Sequence, residues 1–199
     1  MRVLVVYAHP RAQSYNAAIR DLVMERIKAA GAEARLIDLY ASGFEPRLSA
    51  QGLEFIEDEY LNQKGVEEHC EALKWCDTLI FVYPTWWYGL PAMLKGWLDR
   101  VLVSGVAFHL PPPEGGDIRP ALTHITRLGV FTTCGASRHL TWFIGAPGRR
   151  TLLRGLRLIC ARTCRTAFAA HYRMDSSTPE SRARHLKRVG AKVDRLLRA

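Results

Sequence analysis

Three adjacent aromatic residues, Trp86, Trp87 and Tyr88, follow a six-residue apolar run, Thr78–Tyr83, and the pair Pro84-Thr85. Large aromatic faces in a loop are unfavourable in water and favourable against a flat, conjugated ligand. Core capping or a subunit interface would use the same residue types, so that reading stands beside the ligand one. Two other segments concentrate hydroxyl and amide groups: His9-Pro10-Arg11-Ala12-Gln13-Ser14-Tyr15-Asn16, and Thr132-Thr133-Cys134-Gly135-Ala136-Ser137. The first immediately precedes a helical pattern. Free N–H groups and the positive end of a helix dipole, with Ser14 and Asn16, suit a phosphate there. Simple N-capping by Ser14 or Asn16 is the alternative. Neither a G-x-G-x-x-G nor a G-K-[ST] motif is present.

The elements that must position these residues read as an alternation of strands and helices. Arg2–Ala8 is a buried strand by its continuous apolar, β-branched character. A helix with Ile19, Leu22, Val23 and Ile27 on one side follows, and Ala34–Leu39 is a second strand. Tyr40–Ser49 is irregular; Ala50–Tyr60 and Val66–Trp75 read as helices. Thr78–Tyr83 is the third strand, stopped by Pro84, and Pro91 opens a helix striped by Met93, Leu94, Trp97, Leu98, Val101 and Leu102. The Pro-rich stretch to Asp117 reads as a loop or short hairpin. Thr123–Phe131 is the fourth strand, with Thr132–Ser137 as the loop at its end. A helical segment over Leu140–Ile144, a helix over Arg149–Leu158, an edge strand over Cys160–Phe168 and a last helix from Pro179 complete the chain. This order implies parallel β-α-β units. The three candidate segments then share the edge at the strands' carboxyl ends, where open α/β sheets bind ligands.

The 199 residues are expected to form one domain, 1–199. No apolar run approaches the length of a membrane span. With no export signal, the expected location is cytoplasmic. The five cysteines, an odd number, are expected as reduced thiols. Cys160 and Cys164, four apart in a strand, would be too far apart for an unstrained disulfide. No metal-ligand spacing is present. The net charge of +9 is uneven, with fourteen Lys and Arg against three Asp and Glu from Arg149 onward. Nothing resembles a nucleic-acid-binding motif, so no nucleic-acid partner is expected. A solvated arginine-rich final helix accounts for part of the surplus, and an anionic membrane or phosphate-bearing cofactors are other uses for it.

The motifs Y-A-H-P-x-x-x-S-x-N, Y-P-x-W-W-Y-G-x-P-A-x-L-K-G-W-x-D-R and V-F-T-T-C-G-A-S resemble those of the NAD(P)H:quinone oxidoreductases, flavodoxin-like flavoproteins of the DT-diaphorase type. The resemblance runs from Met1 to about Ser137. It implies a flavodoxin-like three-layer α/β sandwich with a five-stranded parallel sheet in order 2-1-3-4-5. By the resemblance, His9, Gln13, Ser14, Tyr15, Asn16 and Ala17 hold the flavin phosphates. Pro84, Thr85, Trp86, Trp87 and Tyr88 line one side of the isoalloxazine, and Thr132, Thr133, Cys134 and Gly135 approach its pyrimidine end. It further implies FAD (with FMN possible), NAD(P)H as co-substrate, two-electron ping-pong hydride transfer to a quinone, and a homodimer. An electron carrier of flavodoxin type and a regulatory oxidoreductase subunit of a potassium-efflux system remain alternatives. Cys134-Gly135 stands where the family often has two glycines. Leu140 and Ala146 stand at the spacings of the animal members' Tyr–His proton relay; His139 is the nearest substitute, with a solvated loop histidine as the alternative.

Overall fold

The computed structural model describes residues 1–198; Ala199, the last residue of the expected domain, lies outside the described residues. Strands β1 (Arg2–Tyr7) and β2 (Glu33–Asp38) flank helix α1 (Tyr15–Ala29) in sequence. Helices α2 (Ala50–Glu54) and α3 (Glu67–Trp75) lead to β3 (Thr78–Thr85) and α4 (Ala92–Val101). A two-residue hairpin, β4 (Phe108–His109) with β5 (Arg119–Pro120), precedes β6 (Arg127–Cys134). Then come α5 (Arg138–Phe143), α6 (Pro147–Arg150), β7 (Arg165–His171) and α7 (Pro179–Leu197). The main sheet has the order β2-β1-β3-β6-β7, all neighbours parallel. In chain order of its own strands this is the expected 2-1-3-4-5.

The alternation of side chains along each strand divides the core in two. Val3, Val5, Tyr7, Ile80 and Val82 pack against Ile19, Val23 and Ile27 of α1 and Val189 and Val193 of α7. Leu4, Val6, Leu79, Phe81 and Tyr83 face the other way, onto Leu73 of α3 and Leu94, Trp97 and Val101 of α4. A sheet covered on both faces needs near-continuous apolar strands, which is what β1 and β3 supply.

Several boundaries differ from expectation. β3 runs through Pro84 to Thr85. The Val82 carbonyl faces β1, accepting from the Ala8 N–H at 3.0 Å. Pro84, two residues on, faces the same way but beyond the end of β1, so its missing N–H leaves no ladder bond unmade. The fourth sheet strand is Arg127–Cys134, so Thr132, Thr133 and Cys134 are paired strand residues rather than loop. Residues before it turn instead, with the Ile125 N–H on the Leu122 carbonyl. The last strand begins at Arg165, because Ala161–Cys164 forms a tight turn closed at 2.8 Å. Cys160 and Cys164 therefore flank a turn, not one strand; all five cysteines are free and buried.

Ala50–Tyr60 is no single helix. It stops at Glu54 because Leu53 and Ile56 stay exposed, with no core to bury a stripe. Asp58 Oδ1 then takes the Tyr60 and Leu61 N–H groups in a turn. The helical run after Pro147 changes type along its length: α-helical to Arg150, π-type over Thr151–Gly155, and 3-10 over Leu156–Ile159. α7 starts where expected, with Thr178 and Ser181 capping each other.

Gly96, inside α4, lies against Pro46 of the irregular Tyr40–Ser49 segment. A Cβ there would meet the Pro46 carbonyl oxygen below any allowed contact, and Pro46 Cα at 2.7 Å. Gly96→Ala should therefore destabilise the fold by about 1–3 kcal/mol, despite the better helix propensity of alanine. Chemical denaturation checks this: equal or greater stability would show that Pro46 yields freely.

Candidate functional site

The carboxyl ends of β1, β3, β6 and β7 open on one cleft of about 790 Å³. That volume is in the range of small-molecule and cofactor pockets, roughly 300–1,000 Å³. β1 and β3 are the strands from which the chain order diverges, so the cleft sits at the switch point of the sheet. His9 follows β1; Tyr15 and Asn16 open α1; Pro84 to Tyr88 end β3. Thr133, Cys134, Gly135 and Ala136 end β6, and Met174 with Asp175 follows β7.

The structure gathers eleven of the sequence-derived cofactor residues here: His9, Tyr15, Asn16, Pro84, Thr85, Trp86, Trp87, Tyr88, Thr133, Cys134 and Gly135. Gln13, Ser14, Ala17 and Thr132 do not line it. Ser14 Oγ caps α1, accepting the Ala17 N–H at 3.0 Å, and pairs with the Tyr7 hydroxyl at 3.2 Å. Capping thus occupies Ser14. Thr132 Oγ1 pairs with Thr85 Oγ1 at 2.9 Å, tying β6 to β3 under the cleft. His139 is exposed on α5 and does not line the cleft. Sequence reasoning placed Ala136 in the Thr132–Ser137 segment without assigning it to the site, and missed Met174 and Asp175. The signal for the last two was their place just after the last sheet strand, hidden while that strand was read as ending at Phe168.

Trp86 and Gly89 close a two-residue turn, with the Gly89 N–H on the Trp86 carbonyl at 3.0 Å. Its central residues, Trp87 and Tyr88, have φ of 47° and 61°. Such turns favour Asn-Gly, because side chains with a Cβ are strained at positive φ. The strain exposes the Trp87 side chain almost fully, at 95%. A fully exposed tryptophan held in a strained turn serves neither solubility nor stability, and strain of this kind concentrates at functional sites.

Asn16 forms the buried floor. Its Nδ2 donates to Thr133 Oγ1 at 2.9 Å, and its Oδ1 has no partner. A buried polar atom left unpaired costs about 1–3 kcal/mol, so this amide is suited to a ligand hydroxyl. The Tyr15 and Asn16 N–H groups stand at the start of α1 with no preceding turn to accept them. His9 Nδ1 accepts the Arg11 N–H at 3.0 Å, which leaves Nε2–H as its free donor. Burial lowers the His9 pKa and favours this neutral form.

Tyr15 is fixed from behind by α7. Its hydroxyl donates to the Arg182 carbonyl at 2.9 Å and lies 2.8 Å from His185 Nδ1. One phenolic proton serves one acceptor, so His185 Nδ1–H donates to Tyr15 and Nε2 is left without a partner. Burial, then the charges of Arg188 and His171, push the His185 imidazole down to about 3. Burial also lowers His171, whose ring centroid lies 5.3 Å away. Among the described residues, no cluster of three or more His, Cys, Asp or Glu is placed to hold a metal, and no helix is long and apolar enough to cross a membrane.

Two outcomes follow. Trp87→Asn should stabilise the fold by about 1 kcal/mol, since asparagine tolerates the left-handed region and no burial is lost; a lower melting temperature would show that the indole packs usefully. Below pH 6.5 the unfolded chain protonates His185 while the folded one does not until about 3. Stability should therefore fall with pH across that window, by about 1.4 kcal/mol per pH unit for this group. Melting temperatures against pH should show a flatter acid limb in His185→Gln; identical limbs would remove His185 as a cause.

A family model described as a flavodoxin-like fold matches residues 1–196. Ribosyldihydronicotinamide dehydrogenase (quinone) of Pongo abelii is 34% identical over 127 residues, covering 55% of this chain and 54% of that protein. The chain spans about half the length of the curated relatives of this name in Pongo abelii and Homo sapiens. The solved NAD(P)H:quinone oxidoreductase from Methanothermobacter marburgensis has a TM-score of 0.80 at 25% identity, over 100% of this chain and 98% of that one. An FMN-dependent NADH-azoreductase from Bacillus anthracis str. Ames Ancestor, in complex with FMN, shares the fold, with a TM-score of 0.76 at 16% identity over 99% of each chain. A match over nearly the whole chain, on a sheet of the same strand order, means that the chain belongs to the flavodoxin-like family.

Proposed function

We propose that the protein is a flavin-dependent NAD(P)H:quinone oxidoreductase with FAD as its flavin, working by two-electron ping-pong hydride transfer. The observation that carries this is the unpaired, buried Asn16 amide beneath a strained, exposed aromatic turn at the sheet's switch point. The names of the relatives support the acceptor and the nicotinamide donor. The cleft also fits the chemistry of a flavin. A ribityl chain carries the hydroxyls that Asn16 lacks, and an isoalloxazine is the flat partner that Trp86, Trp87 and Tyr88 lack.

The bound flavin supplies the centre that accepts a hydride from NAD(P)H and passes it to the quinone. The chain's own residues bind and orient. The Tyr15 and Asn16 N–H groups and the α1 dipole hold a phosphate; His9 Nε2–H adds a donor, which favours the second phosphate of FAD. The aromatic turn covers one face and excludes water. The backbone at Cys134 and Gly135 meets the pyrimidine end, and Asp175 stands beside Gly135, where a Cβ would approach its Oδ2 to 2.9 Å. The reading includes a homodimer, since Trp86 and Trp87 leave apolar surface open at the cleft mouth. A sedimentation mass of one chain for the active protein would remove that part.

An absorption spectrum of the purified protein, then heat release of the chromophore, tests the reading. Flavin bands that bleach with NADH or NADPH and return with a quinone are expected, and the released flavin should be FAD. Bands that ignore both nucleotides would leave an electron carrier; return only with azo compounds would change the acceptor; FMN would overturn the cofactor choice. In Asn16→Leu, the flavin dissociation constant should rise about tenfold.

A further inference from the structure

On the outer side of α6 lies a second cavity, of about 200 Å³, that the flavin reading does not use. Three arginines line it, Arg149, Arg150 and Arg154, together with Trp142 and Thr166. No acidic residue lines it, and none of the three arginines is in a salt bridge among the described residues. Like charges gathered around a concave surface repel one another unless an anion enters. The Trp142 indole is 80% exposed at the rim.

The local backbone is built to make this arrangement. In an α-helix, residues five apart diverge by about 140° around the axis. The segment Thr151–Gly155 is π-type, with bonds from i to i+5, which brings residues five apart back toward one side. Arg149 and Arg154 are five apart. Ala146, also lining the cavity, holds a φ of 48°, a strained value for alanine.

The cavity is close to the cleft. Ala136, just before α5, lines the cleft and Trp142, within α5, lines the cavity, so about 13 Å of chain at most separates them, four residues of helix rise and two extended residues. The Gly148 N–H of α6 donates to the Tyr88 carbonyl at 3.4 Å, so α6 also abuts the aromatic turn. A dinucleotide with its nicotinamide in the cleft is longer than that separation.

We propose that this cavity binds the adenosine 2′-phosphate end of NADPH, the three guanidinium groups taking the phosphate and Trp142 stacking on the adenine. It therefore makes the protein prefer NADPH to NADH. The inference rests on the dehydrogenase reading, and the test separates the two. Steady-state kinetics with both nucleotides should show KM for NADPH rising about tenfold in Arg154→Gln and in Arg150→Gln, with KM for NADH and both kcat values unchanged. Equal changes for NADH and NADPH, or none for NADPH, would overturn it. Binding of 2′,5′-ADP, 5′-ADP and inorganic phosphate, followed by tryptophan fluorescence, gives a readout that needs no turnover. The 2′,5′-ADP should quench, at least tenfold more tightly than 5′-ADP, and the signal should vanish in Trp142→Phe. Quenching by 2′,5′-ADP without turnover of either nucleotide would sink the dehydrogenase reading and keep the phosphate site. Equal affinity for 2′,5′-ADP and 5′-ADP, or for inorganic phosphate, would sink the nucleotide assignment.

Discussion

Backbone groups that leave water on folding must be paired, and the β3–β6 ladder meets that demand in a way that also shapes the cleft. Its register sets Tyr83 opposite Thr132, Pro84 opposite Thr133 and Thr85 opposite Cys134. The two strands thus end level, and the aromatic turn leaves one where the Cys134-Gly135 backbone leaves the other. β1 pairs with β3 only as far as Tyr7 opposite Val82. That early stop creates the step into which the His9 loop and the start of α1 fit. It also explains how a proline sits in the middle of a sheet. A β1 longer by two residues would need the N–H that Pro84 lacks and would fill the cleft.

The cleft concentrates what the rest of the fold avoids. The sheet faces are apolar and continuous, and four helix starts are capped, by Ser14, Ser49, Ser137 and Thr178. Beside this regular frame stand two consecutive aromatic residues at positive φ and a buried amide with an unpaired atom. Each is unfavourable for the folded chain alone, and a ligand hydroxyl would pair the amide while a flat ring would cover the exposed aromatic faces. The Tyr15 hydroxyl, anchored on α7 through Arg182 and His185, shows the frame at work behind the site. A ring that lines the cleft is held by an element far away in sequence.

The alternation of strands and helices and the three cleft-lining segments were legible because β1 and β3 are uninterrupted apolar runs and their neighbours are punctuated by Pro and Gly, while the strand order came from the family resemblance. What was not legible depends on pairing rather than composition. Thr132 and Thr133 look like loop residues, yet β-branched threonine suits a strand, and β3 extends far enough to pair them. Pro84 looks like a stop until its missing donor is seen to face empty space beyond β1. The Ala161–Cys164 turn displaces the last strand, and with it the place of Met174 and Asp175 at the cleft. Leu53 and Ile56 have the residue type of a buried stripe but no partner to bury against, so periodicity overstated α2.

The distribution of charge divides the work between two places. Within the cleft the ionisable lining groups are His9, kept neutral by burial, the Cys134 thiol, the phenols of Tyr15 and Tyr88, and Asp175; no Lys or Arg lines it. An anion there must be held by N–H groups and the dipole of α1, which act over short range and demand exact placement. The guanidinium groups cluster instead beside α6, exposed and, among the described residues, without carboxylate partners. Exposed charge of this kind acts over roughly a Debye length, about 8–10 Å at ordinary salt, and is weakened by added electrolyte. A buried amide cradle suits a cofactor that stays through every turnover. An open arginine rim suits an anionic ligand that must arrive, be recognised and leave.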